Sequence, residues 1–470
     1  MNQNTKDLSS SGAKTFYIHT YGCQMNVRDS ELVTNNLLAH GYTLSDSEEN
    51  ADIIIINSCS VRGKAEDKAI GKARLLCARR RSPDVVVGLM GCMAQRFGED
   101  IFEQVRGLSF AVGTRAESRI PLILKRLEMG EDNISETGNF DDDTSGSNYV
   151  APLGEVTETR ISSFVTILLG CDRRCTYCIV PDVRGKEHSR QPAEIIAEIR
   201  ALADSGISEI TLLGQSVMNY GKRDFKWSED IPSPMGFTEP LPRLFELIVA
   251  NIPEITRIRF TSSHPTGVTD ELISAMSRIP QLCRHLHLPL QSGSDRILKL
   301  MRRGYDTATY LDALKRLREA LPDLAVTTDI IVGFPGETEE DFEATRKVME
   351  EAQFDNSFIF KYSPRPGTPA AELESGVTEE EKMRRNRILL EDQDRRGLAI
   401  NNRSIGTVTE VLAEGPSLRN PKRWSGRNSQ NKIVLFEPGS RISVGDTVLV
   451  RITRARPQTL FGDLVEKSEI

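Results

Sequence analysis

Long apolar runs are missing from this 470-residue sequence. No stretch approaches the roughly 20 consecutive apolar residues that a helix needs to cross a bilayer. The first 14 residues, MNQNTKDLSSSGAK, are polar and lack the apolar core of a secretory signal peptide. Both absences argue against a membrane or secreted protein. We therefore expect a cytoplasmic protein that has no membrane partner.

Disulfide bonds are not expected, although the chain has eight cysteines, because cytoplasmic thiols stay reduced. Metal binding or catalysis is the better explanation for cysteines that cluster in such a protein. The net charge of −7 argues by itself against a nucleic-acid partner. Residues 415–457, however, carry nine Lys or Arg against two acidic residues. This uneven distribution of charge makes an RNA-binding segment plausible.

The order of apolar runs predicts an α/β fold. Strand-like and helix-like runs alternate over residues 14–125, which indicates a small parallel sheet with flanking helices. A Gly/Ser/Asp-rich stretch, 131–156, is typical of a linker. Six further βα units predict a parallel barrel or an incomplete one, and short strands separated by Gly and Pro turns then predict a small antiparallel β-barrel. The expected domains are 14–150 (α/β domain with acidic linker), 157–400 (partial (β/α)6 barrel) and 401–467 (β-barrel).

Three cysteines follow the first strand of the predicted barrel, in a C-x-x-x-C-x-x-C spacing. Cys171, Cys175 and Cys178 therefore lie where such barrels carry their active sites. The sequence has no fourth Cys or His close by, whereas structural zinc prefers four ligands. Three thiolates on a four-iron cluster leave one iron open to a small chelating ligand. An iron–sulfur site is the favoured interpretation, and a zinc loop is the alternative.

A second set of three cysteines follows the first three strands of the N-terminal segment. Cys23, Cys59 and Cys92 each come just after one strand. Ligands of open α/β sheets bind at the carboxyl ends of the strands, which neighbouring parallel strands bring together. The alternative is three unrelated buried cysteines. Their equivalent positions favour one shared site, whereas Cys77 and Cys283 are interpreted as structural.

The cysteine spacing resembles that of the radical S-adenosylmethionine (SAM) enzymes, and further motifs resemble the radical-SAM methylthiotransferase family from about residue 16 to residue 465. The tail resembles a TRAM domain, a small RNA-binding β-barrel. The motifs are YGCQMN (21–26), NSCSVRGKAEDK (57–68), GCMAQ (91–95), GCDRRCTYCIVPDVRGKEHSR (170–190), HLPLQSGSDRILKLMRRGY (287–305), DIIVGFPGETEEDF (329–342) and YSPRPGTPAA (362–371).

The resemblance implies SAM and two 4Fe–4S clusters as cofactors. Cys171, Cys175 and Cys178 would hold the cluster that cleaves SAM to a 5′-deoxyadenosyl radical. An auxiliary cluster that carries or supplies sulfur would bind to the other triad, Cys23, Cys59 and Cys92. One SAM would methylate the auxiliary cluster and a second would activate C2 of an adenine, to which the methylthio group is transferred.

YGCQMN is typical of the subgroup that modifies N6-isopentenyladenosine beside the tRNA anticodon. Sister groups act on threonylcarbamoyladenosine in tRNA or on a ribosomal-protein aspartate, and both remain alternatives. NSC at 57–59 departs from the Asn-Thr-Cys expected there, but it keeps the cysteine. A rival from another class is a non-catalytic RNA-binding iron–sulfur protein. Two open triads argue against that rival, because a structural cluster gains from a closed ligand set.

Contacts to SAM and RNA are predicted at individual positions. Arg184 and Arg190 face a carboxylate or an RNA phosphate, or are simply solvated. Flavodoxin or ferredoxin as electron donor, an isopentenyladenosine-containing anticodon stem-loop as substrate, and a monomeric state complete the expectation. The SAM candidates, which have simple turn or loop roles as alternatives, are Tyr177, Gly214, Gln215, Gln291, Ser292 and Gly333. The RNA candidates, with surface salt bridges as the alternative, are Arg419, Lys422, Arg423, Trp424 and Arg427.

Overall fold

The structure is a computed structural model, and it describes residues 13–60, 63–138, 160–224, 227, 233–261, 263–439 and 442–466. The chain divides into two compact units. The N-terminal unit contains residues 1–155 and 182–185, and the C-terminal unit contains 156–181 and 186–470. Most of the predicted linker, from residue 139 onward, lies outside the described residues, as does residue 467 at the predicted end of the last domain. The three predicted domain boundaries remain predictions.

A parallel sheet forms the N-terminal unit, as the sequence predicted, and it has six strands. Its strand order is β2-β1-β3-β4-β5-β6, and all five pairings are parallel. The strands are β1 (Thr15–Tyr21), β2 (Thr43–Leu44), β3 (Ile53–Ser58), β4 (Val86–Met90), β5 (Phe110–Val112) and β6 (Ile134–Glu136). The helices are α1 (Gln24–Ala39), α2 (Gly63–Ala78), α3 (Cys92–Phe97), α4 (Ile101–Gln104) and α5 (Ile120–Glu128).

Helices cover both faces of this sheet, which explains its apolar strands. Every residue of β3 is buried, and one core cluster lies on each face, around Phe110 on one side and Leu89 on the other. The linker prediction was wrong at its start. β6 lies inside the stretch assigned to the linker, because Ile134 is buried in the core and pairs with Phe110.

Six parallel strands build the central part of the C-terminal unit, as predicted. They form two three-stranded sheets, β7-β10-β11 and β12-β13-β14, and a parallel bridge between Ile258 and Leu282 connects their adjoining edges. The strands are β7 (Ser162–Thr166), β8 (Leu168–Leu169), β9 (His188–Ser189), β10 (Glu209–Leu213), β11 (Arg257–Phe260), β12 (His285–His287), β13 (Ala325–Val332) and β14 (Asn356–Lys361). β8 and β9 pair only with each other.

Helices alternate with these strands, and several of them begin at side-chain caps. Thr269, Ser294, Asp306 and Thr338 each accept a hydrogen bond from a backbone N–H in the first turn of the helix that follows. The helices are α6 (Val180–Arg184), α7 (Pro192–Asp204), α8 (Pro240–Asn251), α9 (Asp270–Arg278), α10 (Asp295–Leu300), α11 (Thr307–Ala320), α12 (Glu339–Ala352) and α13 (Glu379–Asn402). Within the described ranges, no helix has the length and apolarity needed to span a membrane.

A closed five-stranded barrel ends the chain, with strand order β15-β16-β17-β19-β18. Four pairings are antiparallel and one, between β17 and β19, is parallel. The strands are β15 (Val408–Ser417), β16 (Asn420–Asn428), β17 (Ile433–Phe436), β18 (Thr447–Arg456) and β19 (Thr459–Leu464). Arg257 and Arg259 of β11, which are buried, donate to the carbonyl oxygens of Arg427, Asn428 and Ser429. These hydrogen bonds attach the small barrel to the central sheet.

Candidate functional site

The three cysteines of the N-terminal unit lie at one edge of its sheet. Cys23 caps α1 just after β1, Cys59 directly follows β3, and Cys92 begins α3 after β4. These three strands are parallel neighbours. The Cys59 side chain hydrogen-bonds to Cys23 and lowers the pKa of the Cys23 thiol to about 6. The structure therefore brings at least these two thiols into direct contact.

Two buried asparagines hold this edge in place, and the sequence analysis did not single them out. Asn26 accepts a hydrogen bond from the Cys23 backbone N–H at 3.2 Å and donates to the Asn57 side chain at 2.9 Å. Asn57 in turn donates to the Asn26 carbonyl oxygen at 2.8 Å. Gly91, with φ of +89°, leaves room for this pair, because a Cβ there would lie 2.4 Å from Asn57 Oδ1. Asn26, Asn57 and Gly91 thus help to hold the cysteine-bearing edge of the sheet in place.

A buried ion pair adjoins Cys92. Arg184 donates through Nε to Cys92 Sγ at 3.2 Å and through its terminal nitrogen to Asp29 Oδ2 at 2.6 Å. Only 4% of Arg184 is exposed. Of the environments predicted for it, a carboxylate, an RNA phosphate or solvent, the structure shows the carboxylate. Burial raises the pKa of the Cys92 thiol, and the charge of Arg184 opposes that rise. Arg190 is also buried and forms an ion pair with Glu198 at 2.6 Å.

The second triad lies in a loop between β8 and α6 of the C-terminal unit. Backbone hydrogen bonds from Thr176 to Met301 (3.1 Å) and from Ala370 to Thr176 (2.8 Å) fix this loop. Burial raises the pKa of Cys171 to about 11 and that of Cys178 to about 12, and the neighbouring cysteines reinforce both shifts. The thiols of Cys171 and Cys178 are therefore protonated at neutral pH, and metal binding must release their protons.

Cys175, at the centre of this loop, accepts a hydrogen bond from a buried arginine. Arg303 Nη1 lies 3.2 Å from Cys175 Sγ, and the same guanidinium donates to the Tyr305 hydroxyl at 3.2 Å. Tyr177 is close enough to Arg303 and Cys175 for their charges to affect its pKa, which burial raises. Tyr177 also packs against the apolar cluster around Phe334, and its role as a shielding or SAM-facing aromatic stays a prediction.

The donor set of both triads fits iron–sulfur clusters. All eight cysteines are free. A four-iron cluster takes thiolate ligands. Each triad supplies thiols alone, which fits such a cluster.

Unpartnered buried polar atoms gather at the carboxyl ends of the central strands. Gln215 follows β10 and Gln291 follows β12, and the side-chain oxygen of each is buried and accepts no hydrogen bond from the described part of the chain. Gln291 also has a φ of +73°, which is strained for a non-glycine residue. Further unpartnered oxygens or nitrogens near these strand ends, not found by the sequence analysis, belong to Thr166, Ser216, Ser263, His264 and Tyr362. Such atoms fit a polar ligand that completes their hydrogen bonds.

The other three SAM candidates have structural partners. Gly214 permits close packing, because a Cβ there would lie 2.9 Å from the Leu168 carbonyl oxygen. Ser292 is fully buried and hydrogen-bonds to Thr345 at 3.3 Å. Gly333 has a φ of +71° and donates its N–H to Glu337 at 2.6 Å. Gly214 and Ser292 thus contact distant segments, β8 and α12, whereas Gly333 contacts a residue of its own turn.

The RNA candidates lie on β16 and on the turn before it. Arg419 and Lys422 are exposed, whereas Trp424 packs against the core of the small barrel. Arg427 is paired with Glu414 at 3.3 Å. Arg423 lies 5.7 Å from the ring centre of Phe461, and two further guanidinium groups share that ring, those of Arg454 (4.0 Å) and Arg456 (5.5 Å). The sequence analysis missed these two arginines, although they lie in the basic segment it described.

The double variant Arg454→Ala/Arg456→Ala is expected to weaken tRNA binding. Each lost phosphate contact should lower the slope of log affinity against log salt by about 1. Filter binding at several salt concentrations measures this slope. Arg200→Ala is the matched control, because Arg200 lies on α7 outside the small barrel and pairs with Glu254 at 3.0 Å. An unchanged slope in the double variant would show that this surface does not face RNA.

Comparisons with known proteins agree with this architecture. A family model described as "Radical SAM superfamily" matches residues 165–349. Models described as "Uncharacterized protein family UPF0004" and "TRAM domain" match residues 15–113 and 402–465. A solved structure of the radical SAM methyltransferase TsrM from Kitasatospora setae, with cobalamin and a 4Fe–4S cluster bound, covers 76% of this chain and 74% of that one. It has a TM-score of 0.56 at 14% identity, and so shares the fold.

Relatives in sequence are much closer. A tRNA-2-methylthio-N(6)-dimethylallyladenosine synthase from Akkermansia muciniphila is 44% identical over 464 residues, which cover 95% of this chain and 98% of that protein. A protein of the same name from Methylacidiphilum infernorum is 43% identical over 95% of this chain and 94% of its own length. The chain therefore belongs to the radical SAM methylthiotransferases, an enzyme family that uses SAM and 4Fe–4S clusters, and within them to the family of the tRNA-2-methylthio-N(6)-dimethylallyladenosine synthases.

Proposed function

We propose that this chain methylthiolates C2 of N6-isopentenyladenosine beside the anticodon of tRNA. The observation that carries the proposal is the presence of two separate all-cysteine triads, one in each unit. Methylthiolation needs both a site that activates the adenine and a site that supplies sulfur. The names of the relatives specify N(6)-dimethylallyladenosine, which is another name for N6-isopentenyladenosine.

Cys171, Cys175 and Cys178 are proposed to hold the cluster at which SAM binds. When bound, that cluster supplies the electron and the open iron that SAM cleavage requires. The chain itself orients SAM, through the unpartnered side-chain oxygens of Gln215 and Gln291. His264, whose pKa burial lowers to about 2, stays neutral there and leaves a buried Nε2 for a hydrogen bond.

Cys23, Cys59 and Cys92 are proposed to hold the auxiliary cluster that carries the sulfur. The Cys23 thiol, with its pKa lowered to about 6 by Cys59, is already largely a thiolate at neutral pH. Cys59 and Cys92 are almost fully buried, at 1% and 3% exposure. The chain thus offers a preformed, largely dehydrated set of ligands at the edge of the sheet.

The small barrel is proposed to bind the anticodon stem-loop. Buried hydrogen bonds from Arg257 and Arg259 attach its strand β16 to the central sheet. RNA held on the exposed basic residues of the small barrel would therefore have a fixed position relative to the central strands, whose carboxyl ends present SAM. We further propose that the enzyme is cytoplasmic, acts as a monomer and takes electrons from a flavodoxin or ferredoxin.

Reconstituted enzyme tests this proposal directly. The full chain, loaded anaerobically with iron and sulfide, is incubated with SAM, a reductant and tRNA that contains isopentenyladenosine. Mass spectrometry of the nucleosides should then show a gain of one methylthio group. tRNA with threonylcarbamoyladenosine and ribosomal protein serve as competing substrates. If the methylthio product formed only on one of these competitors, that competitor would be the substrate instead of isopentenyladenosine. If SAM were not cleaved under any condition, the non-catalytic RNA-binding alternative would be favoured.

A further inference from the structure

Each cysteine triad has one buried arginine that donates a hydrogen bond to a thiol. In the N-terminal unit Arg184 lies 3.2 Å from Cys92 Sγ, and in the C-terminal unit Arg303 lies 3.2 Å from Cys175 Sγ. The two arginines are only 4% and 7% exposed. A buried cation interacts strongly with neighbouring charge, because water does not screen it. Each arginine is therefore placed to act on whatever charge its triad holds.

The two arginines differ in how their charge is balanced. Arg184 forms an ion pair with Asp29 at 2.6 Å, and Asp29 itself is 5% exposed. Glu117 also faces this pair, and Arg115 donates to the Arg184 carbonyl oxygen at 2.9 Å. Burial, reinforced by the charge of Asp29, raises the pKa of Glu117 to about 8. Asp29 is therefore the carboxylate that balances Arg184 at neutral pH.

Arg303 has no such balance. Its described neighbours are Cys175, the hydroxyl of Tyr305, Tyr177, His264 and the second cation Arg173. Among the described residues, no carboxylate lies within 4.0 Å of its guanidinium group. The nearest acidic charge on this side is that of Glu187, which acts on Arg173 and Cys171. The two sites therefore differ in that Arg184 is paired directly with a carboxylate at 2.6 Å and Arg303 is not.

We propose that Arg184 and Arg303 are positioning residues that set the reduction potentials of the two clusters, with Asp29 in direct contact offsetting the charge of Arg184 and no described carboxylate in direct contact with Arg303. Hydrogen bonds to sulfur and local charge are the means by which proteins adjust such potentials. The inference rests on the proposed function, since it assumes that each triad holds a cluster.

Opposite changes of charge should give shifts of opposite sign. Asp29→Asn leaves Arg184 unbalanced and should make the potential of the N-terminal cluster more positive. Arg184→Gln removes the cation and should make the same potential more negative. Arg303→Gln should make the potential of the other cluster more negative. Arg184→Lys and Arg303→Lys keep the charge, and each should recover most of the parent value.

Potentiometric titration of the full-length chain tests these shifts. Each arginine or aspartate variant is combined with alanine replacement of the other triad, so that one cluster is followed at a time. Dithionite is the reductant, and electron paramagnetic resonance measures the reduced fraction. Iron per chain is determined first on every sample. Arg119→Gln and Arg200→Gln remove half-exposed, surface-paired arginines of the same two units and are the matched controls.

The inference predicts at least a tenfold change in the reduction equilibrium, about 59 mV for one electron, in the stated directions. Loaded clusters whose potentials equal those of the two controls, or shifts of equal sign for Asp29→Asn and Arg184→Gln, overturn it. If Arg184→Gln cannot be loaded, the nearly isosteric Asp29→Asn decides for that site. Failure of the parent N-terminal triad to bind iron would instead contradict the proposed function.

Discussion

Alanine replacement of Cys171, Cys175 and Cys178 together is expected to abolish SAM cleavage. These thiols are the proposed ligands of the cluster that donates the electron, and no other cysteine lies in their loop. Production of 5′-deoxyadenosine in the presence of dithionite should fall below detection, and no methylthio product should form. Chromatographic assay of both products measures this. Residual cleavage near the parent rate would mean that SAM is activated elsewhere.

The complementary variant, Cys23→Ala/Cys59→Ala/Cys92→Ala, should separate the two halves of the reaction. Cleavage of SAM should continue, because the triad of the C-terminal unit is unchanged, while the methylthio product disappears. Cys77→Ala is the matched control, since Cys77 lies on α2 outside both triads and should leave both products unchanged. If the N-terminal triple variant still made methylthio product, the sulfur would have another source.

Asn57→Ala is the second change with a large expected effect. The Asn57 amide donates to the Asn26 carbonyl oxygen and to the Ser30 hydroxyl, and it accepts from the Asn26 side chain. All three residues are buried. Leaving such groups unpaired costs about 1–3 kcal/mol each. We expect the N-terminal unit to lose about 3 kcal/mol of unfolding free energy, and its triad to bind less iron.

Chemical denaturation and iron analysis together measure this effect. Asn36→Ala is the control, on the helix α1 that carries the Asn57 partner Asn26, because the Asn36 side chain makes an exposed hydrogen bond to the Ser118 carbonyl oxygen. Asn36→Ala should cost less than about 1 kcal/mol and should leave the iron content unchanged. Equal effects of the two substitutions would show that Asn57 has no special part in holding the cysteine edge.

Apolar periodicity was sufficient to predict the parallel sheets, although not the short edge strands β2 and β6. The run at β3 is continuous and apolar because helices cover both faces of the sheet. α11 (Thr307–Ala320) is a clear example among the helices, since an amphipathic pattern and the Asp306 cap agree there. Where local pattern and tertiary packing favour the same structure, the sequence alone is informative.

Elements held together by charge or by neighbouring strands escaped this reasoning. α13 has no clear apolar stripe, and ion pairs of Glu381 with Arg384 and Arg385 stabilise it instead. β16 is polar and contains Pro421, yet it pairs with strands on both sides. Its strand conformation comes from those neighbours rather than from its own preference.

The candidate site, too, was predictable from the sequence only in part. Cysteine spacing and strand order were enough to single out both triads from the sequence. The arginines beside them were not predictable as partners, because Arg184 meets Cys92 across 92 positions and Arg303 meets Cys175 across 128. Contacts of this kind depend on tertiary structure, so only the folded chain reveals them.

Iron and acid-labile sulfide per chain, after anaerobic reconstitution, test the central claim most directly. The account predicts about eight irons in the parent chain, and about four in each triple-cysteine variant, because each triad then holds one independent four-iron cluster. Four irons in the parent, lost only when Cys171, Cys175 and Cys178 are replaced, would contradict the auxiliary cluster and with it the proposed source of the sulfur.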